Sequence, residues 1–216
     1  SAGSQLASAP RECFCAPRSS KFSGDSQWRK VSRIDGQSES MIAYQVVLAL
    51  RQMGISALSV EQSPDANALL SGDADLVVLG VKPYQIVDVL NEIAPELPKN
   101  SVVISMAGGI ELATMAGALP EHKNLIRSMP NTPAMVGQGV TGLAAHSSAS
   151  NDALDAAEWL FSAVGQVVNV EEMQINALSA ISGSGPAWIY FIIEQWEKVA
   201  ISRGFTQEQA ETLVRS

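Results

Sequence analysis

The tightest constraint on this chain is a pair of short runs, residues 76–81 and 102–106, in which almost every residue is apolar. A strand covered on one face alternates apolar with polar residues. An unbroken run belongs to a strand buried on both faces, as in a parallel sheet between two layers of helices. The turn Gly72-Asp73-Ala74-Asp75 opens the first run, and the rhythm continues beyond it. Residues 86–93 put Ile86, Val89, Leu90 and Ile93 on one helical face. A second helix is expected over 111–119, a third strand over 125–129 and a fourth over 142–146. Asn151 or Asp152 caps a helix through 164, with Ala156, Leu160 and Val164 on one face, and 167–170 closes the series. Upstream, 44–53 reads as a short helix stopped by Gly54, 57–60 as a short strand and 65–70 as a helix. Strand and helix taking turns predict an α/β fold, a parallel sheet with helices on both faces.

After Glu172 the alternation stops. Residues 173–179 and 186–202 read as helices, and Thr206-Gln207-Glu208-Gln209 opens a third with a capping box. An all-helical module of this kind buries its apolar face against its own continuation or a partner chain. Residues 1–41 differ from both parts: rich in Ser, Arg and Lys, they carry Cys13, Cys15 and Trp28 and lack either periodicity, the composition of an aberrant or disordered segment. The expected division is therefore 1–41, a sheet domain over 42–170 and a helical module over 171–216. A formal charge of −8 disfavours nucleic acid, whose binding rests on Lys and Arg neutralising phosphates. No apolar run suits a membrane span, and two cysteines so close together make neither a disulfide framework nor a metal site. A cytoplasmic protein is the default expectation.

Several motifs lie where strands are expected to end. Val81-Lys82-Pro83 follows the first buried run, and ligands of open α/β sheets bind beyond the carboxyl ends of the strands. The alternative is a plain strand end with a lysine lying along apolar surface. Ala107-Gly108-Gly109 follows the second run; residues without side chains admit a flat ligand to the main chain, or simply make a tight turn. In Arg127-Ser128-Met129-Pro130-Asn131-Thr132-Pro133, two prolines stop any helix or central strand, so the backbone leaves the sheet in a fixed irregular loop. The Asn131 amide offers donor and acceptor together, to a ligand or to its own turn. Gly137-Gln138-Gly139-Val140-Thr141-Gly142 has the spacing of a dinucleotide fingerprint, but it follows a proline loop and leads into a strand, so it is read as a loop. Ser182-Gly183-Ser184-Gly185-Pro186 precedes an apolar helix. It reads as a helix start whose N–H groups and hydroxyls hold a carboxylate, or as a small-residue helix crossing. Glu171 and Glu172 read as the acidic first turn of a helix, His122 and His146 as isolated surface or loop residues, and Trp188 and Tyr190 as core or interface.

In this order and spacing, from about Met53 to Ser216, the motifs resemble the pyrroline-5-carboxylate reductase family. The resemblance implies an incomplete Rossmann-like domain followed by the start of a helical dimerisation domain. It implies NADPH or NADH held by Val81, Lys82, Pro83, Ala107, Gly108, Gly109 and Asn131. It also implies a substrate held by Pro130, Asn131, Ser182, Gly183, Ser184 and Gly185, with no metal, no assigned general acid and a homodimer or higher homo-oligomer. The family's first strand and glycine-rich turn precede Val-Lys-Pro by about 60 to 70 residues, which falls near residues 12–22. The text there, Cys13-Phe14-Cys15-Ala16-Pro17-Arg18-Ser19-Ser20-Lys21, contains no glycine. That content reads as translation out of frame, and it predicts a sheet that lacks its first strand. The family's Ser-Pro-Gly-Gly-Thr-Thr segment, which helps to hold substrate, also does not occur in the 216 residues.

The implied reaction is hydride transfer to the C=N carbon of 1-pyrroline-5-carboxylate, giving L-proline, the last step of proline biosynthesis. Such a site aligns two rings and binds one carboxylate, which suits motifs without a His or Cys pair. The chain as written is expected to be poorly active or inactive. The alternatives are another Rossmann-type dehydrogenase with a helical second domain, such as a 3-hydroxyacid dehydrogenase, or a non-catalytic helical dimerisation fragment. A catalytic lysine in the helical module would favour the former, but Lys198 lies well away from the small-residue start.

Overall fold

The computed structural model describes residues 30–35 and 56–61 as backbone, together with Val46 and 74–216. The helices expected over 44–53 and 65–70, the glycine-free segment near 12–22 and both cysteines lie outside the described residues, apart from Val46 itself, which is helical and buried.

The sheet has seven strands: β1 (Lys30–Asp35), β2 (Ser56–Glu61), β3 (Leu76–Gly80), β4 (Val102–Ser105), β5 (Leu125–Met129), β6 (Gly139–Ala145) and β7 (Gly165–Asn169). Their order is β2-β1-β3-β4-β5-β6-β7. Strands β1 to β5 are parallel, with Leu79 opposite Ser105 and Ser105 opposite Arg127. Alternate residues of the central strands go to opposite faces. Leu76, Val78, Val102, Ile104 and Ile126 pack under α3 (Asn151–Ser162), through Ala156, Leu160 and Phe161. Val77, Leu79, Val103 and Leu125 pack under α1 (Ile86–Ile93) and α2 (Leu112–Ala118). This two-sided burial is why the runs are apolar throughout, and at about 1.5–3 kcal/mol per buried large side chain it dominates the folding free energy. The stripes expected on α1 and α3 are the buried ones.

Four expectations are corrected. The sheet is not parallel throughout: β6 runs antiparallel to β5, with Ser128 opposite Leu143. The link between them, residues 130–138, is shorter than the dozen or so residues that a parallel crossover needs. β6 also begins at Gly139 rather than at residue 142, so only the first part of the rejected glycine pattern is loop. The α3 cap is Ser150, whose Oγ accepts from the Ala153 N–H at 3.2 Å. Finally, β3 does have a neighbour on its far side, because β1 pairs with it from Val31 opposite Leu76 to Asp35 opposite Gly80. Only Val31 and Ile34 are apolar in this strand, a spacing that carries no strand period.

Beyond β7, a 3-10 turn (Glu172–Gln174) leads into α4 (Ile175–Leu178), a π-helical turn (Ser179–Gly183), α5 (Gly185–Ser202) and α6 (Gln207–Arg215). Thr206 caps α6 through the expected box with Gln209. The buried Glu197 of α5 accepts from Arg215 Nε at 2.6 Å, pinning α6 to α5.

His122 is buried, not on the surface. It lies at the amino edge of the sheet, where its Nε2–H donates to the Ser101 carbonyl at 2.7 Å. Burial pushes its pKa below the ordinary 6.5, partly opposed by that hydrogen bond. The unfolded chain therefore takes up the proton first. The stability tied to neutral His122 is complete above about pH 6.5 and is lost as pH falls through the lowered value. Between about pH 7 and about pH 5, the urea midpoint of the native chain should fall more than that of His122→Gln, as followed by equilibrium unfolding.

Candidate functional site

The parallel registers bring three motifs to one edge. Gly80, Met106 and Ser128 each sit at or just past the carboxyl end of adjacent strands, so the segments after them emerge side by side. The Ser128 hydroxyl donates to the Ser105 carbonyl at 3.0 Å, and the Ala107 N–H donates to Ser105 Oγ at 3.2 Å. Serine side chains thus satisfy backbone groups where the ladder ends.

Val81 is buried here while Lys82 and Pro83 are exposed, and a short 3-10 turn (Pro83–Gln85) leads into α1. Ala107 is buried, but Gly108 and Gly109 are exposed, and a methyl built on either would meet no atom within 4 Å. Gly109 has φ 79°, a left-handed conformation that a side chain disfavours. The Gly108–Gly109 main chain is therefore an open floor.

The proline loop is tied on two sides. Pro130 is buried, and Asn131 is 7% exposed. Asn131 Oδ1 accepts from the Val140 N–H at 2.8 Å, while its Nδ2 donates to the Ser182 carbonyl at 3.1 Å. Behind it, Gly139 leaves room for the 3-10 turn Thr132–Val136: a methyl there would stand 2.7 Å from Ala134 Cβ and 2.8 Å from its Cα.

Ser182-Gly183-Ser184-Gly185 is not the helix start that the sequence suggests. The π-helical turn runs on from α4, with the Ser184 N–H bonded to Ser179 O at 2.9 Å and the Ala187 N–H to Ser184 O at 3.1 Å. The Ser182 hydroxyl donates back to Leu178 O at 3.0 Å. A wide turn of this kind marks many functional sites, and it leaves the Ser184 side chain exposed. The turn lies on the carboxyl edge, since a methyl on Gly183 would be 3.6 Å from Met129 Cε. Leu178 closes over Gly142 of β6, where a methyl would come within 2.5 Å of Leu178 Cδ1.

Sequence reasoning missed a polar node beneath this edge. Arg127, 3% exposed on β5, donates from one nitrogen to Glu172 Oε1 at 3.4 Å and from another to Asn176 Oδ1 at 3.3 Å. Glu172 Oε1 also accepts from the Leu112 N–H at 2.6 Å, capping α2. Glu172 therefore does more than begin a helix. The available signal was a charged residue inside a buried strand, which requires a partner. Among the described residues, no group of three or more His, Cys, Asp or Glu could hold a metal ion. His146 is a half-buried loop residue bonded to Ser148, in the loop position expected. Trp188 and Tyr190 lie exposed on α5 rather than in the core.

A doubly wound sheet with its chain reversal between β1 and β3, joined to a helical module that reaches back over the carboxyl edge, defines a Rossmann-like α/β protein of two modules. Comparisons with known proteins narrow the class. Residues 172–216 match the family described as pyrroline-5-carboxylate reductase dimerisation, and 37–151 match the ketopantoate reductase PanE/ApbA family. The pyrroline-5-carboxylate reductase of Methanosarcina acetivorans is 37% identical over 156 residues, covering 72% of this chain and 57% of that protein. That of Pseudomonas aeruginosa is 37% identical over 150 residues, covering 69% and 55%. The solved pyrroline-5-carboxylate reductase of Coxiella burnetii superposes with a TM-score of 0.73 at 32% identity, covering 86% of this chain and 75% of that one. The Plasmodium falciparum pyrroline carboxylate reductase solved with NADP bound has a TM-score of 0.75 at 23% identity, covering 87% and 74%, a likeness of fold. The ketopantoate reductase match stops within the sheet domain, whereas the dimerisation match covers the helical module. The chain belongs to the pyrroline-5-carboxylate reductase family, and it spans a little over half the length of the curated relatives it matches.

Replacing Glu172 by Ala should destabilise the fold by about 2–4 kcal/mol, because it strands a buried guanidinium and uncaps α2. Glu171→Gln, which keeps a cap acceptor at an exposed position, should stay within about 0.5 kcal/mol. Urea unfolding of the two variants checks the contrast.

Proposed function

We propose that this site serves the reduction of 1-pyrroline-5-carboxylate to L-proline with NADPH or NADH. The observation that carries the reading is the Asn131 bridge, which holds the Ser182–Gly183 turn over the same sheet edge as the open Gly108–Gly109 main chain. The nicotinamide end of a cofactor fits that floor, with Val81, Lys82 and Pro83 alongside. The sequence that follows β1, Gly36-Gln37-Ser38-Glu39-Ser40, has one glycine where a pyrophosphate-binding fingerprint has three, so cofactor affinity is expected to be weak. When bound, the reduced cofactor supplies the hydride.

The chain's own residues align and orient. Pro130 and Asn131 shape the loop, and the exposed Ser184 hydroxyl with the Gly183 and Gly185 main chain receives the substrate carboxylate. Ser182 acts through its backbone, because its hydroxyl is engaged with Leu178. We assign no general acid. The reading divides the chain after Val170 and takes a second copy as the partner of the helical module, whose Trp188, Phe191, Ile192 and Trp196 are exposed. No helix among the described residues is long and apolar enough to cross a membrane. The reading takes the enzyme to be cytoplasmic, and the formal charge of −8 disfavours nucleic-acid partners.

The test is incubation of the purified chain with 1-pyrroline-5-carboxylate and either cofactor, following reduced-nicotinamide absorbance and L-proline. Slow L-proline formation with a high cofactor KM is expected, and none at saturating cofactor overturns the reading. Gly108→Val should weaken cofactor binding by about tenfold or more while leaving the unfolding midpoint unchanged, since it fills open space at a permissive backbone position. Fluorescence titration and urea unfolding measure the two effects.

A further inference from the structure

Two side chains reach from β5 and its following loop into the helical module, and both were read from sequence without that purpose. Arg127 holds the module at Glu172 and Asn176, before and within its first short helix. Asn131 holds it again at the Ser182 carbonyl, in the π-helical turn. Four residues apart on the β5 side and spread from Glu172 to Ser182, nearly three helical turns, on the other, these bonds fix the module in both position and rotation. Asn131 has a further bond to Val140 on β6, and Glu172 one to Leu112 at the start of α2, so both brackets are themselves braced by the sheet domain. The buried amide of Asn131 spends one donor and one acceptor on protein, whereas Ser184, two residues beyond the Ser182 carbonyl it holds, is exposed.

The geometry points to Arg127 and Asn131 as positioning residues that set the substrate end of the site. They fix where residues 182–185 stand relative to Gly108–Gly109, and neither is a ligand-binding group in its own right. The functional half of this inference rests on the reductase reading; the structural half does not.

Hydrogen exchange and kinetics on the full 216-residue chain test the two halves separately. Asn131→Asp keeps an acceptor for Val140 and removes the donor to Ser182. Arg127→Lys keeps a cation for Glu172 and drops the second bond to Asn176. Both should speed amide exchange across 175–187 by about tenfold, the scale of one lost hydrogen bond, with β6 unchanged. Arg127→Met should exceed Arg127→Lys, the conservative variant giving partial rescue. In turnover, KM for 1-pyrroline-5-carboxylate should rise about tenfold while the cofactor KM stays within about twofold, a split that general loss of folded protein does not produce. Exchange altered only within 130–140, or unaltered in both variants, overturns the inference, as does a raised cofactor KM with an unchanged substrate KM. If the native chain forms no L-proline, the reductase reading falls, and the exchange pattern still decides whether the brackets exist.

Discussion

Burial of β3 and β4 on both faces is the constraint from which the remaining architecture follows. Neither face can meet water, so α1 and α2 must cover one side and α3 the other. Parallel pairing then sends β3, β4 and β5 out at the same edge, where the ladder ends and main-chain groups become available. The motifs after β3, β4 and β5 gather at that edge because the strands end there, whatever chemistry they serve.

The short link after β5 breaks this regularity with consequence. By turning β6 antiparallel it brings Gly142 to the carboxyl side beside Met129, where Leu178 packs against it. The helical module is thereby docked on the sheet domain by apolar contacts, Leu178 over Gly142 and the buried Ile175 within the core under α1 and α2, and by the polar bonds of Arg127 and Asn131. A buried guanidinium without acceptors would be untenable, so the node at Glu172 both requires and enforces this docking. The turn at Gly183 lies beside Met129, with room left for a methyl at ordinary contact distance.

Periodicity made the sheet domain legible from residue 76 onward, because two-sided burial and helical stripes are local patterns. Ile86, Val89, Leu90 and Ile93 were identifiable without any partner in view. β1 was not, because Lys30, Ser32, Arg33 and Asp35 interrupt its apolar residues and its place depends on ladder bonds to β2 and β3. The direction of β6 was decided by loop length, a signal present in the prolines but outweighed by the alternation. Within the site, the motifs after β3, β4 and β5 did converge. The roles that escaped notice, those of Asn131, Arg127 and Glu172, depend on partners 9 to 60 residues away, to which no local pattern points.

The unbroken run of α4, π-helical turn and α5 makes the module a lever. At 18 residues α5 is about 27 Å long, so a swing of about five degrees at its base moves its far end by about 2 Å. Glu197 and Arg215 carry α6 along with that motion. Whatever surface the exposed aromatic stripe meets, its alignment is therefore set at residues 182–184, and the angle of assembly and the width of the site become two readings of one hinge.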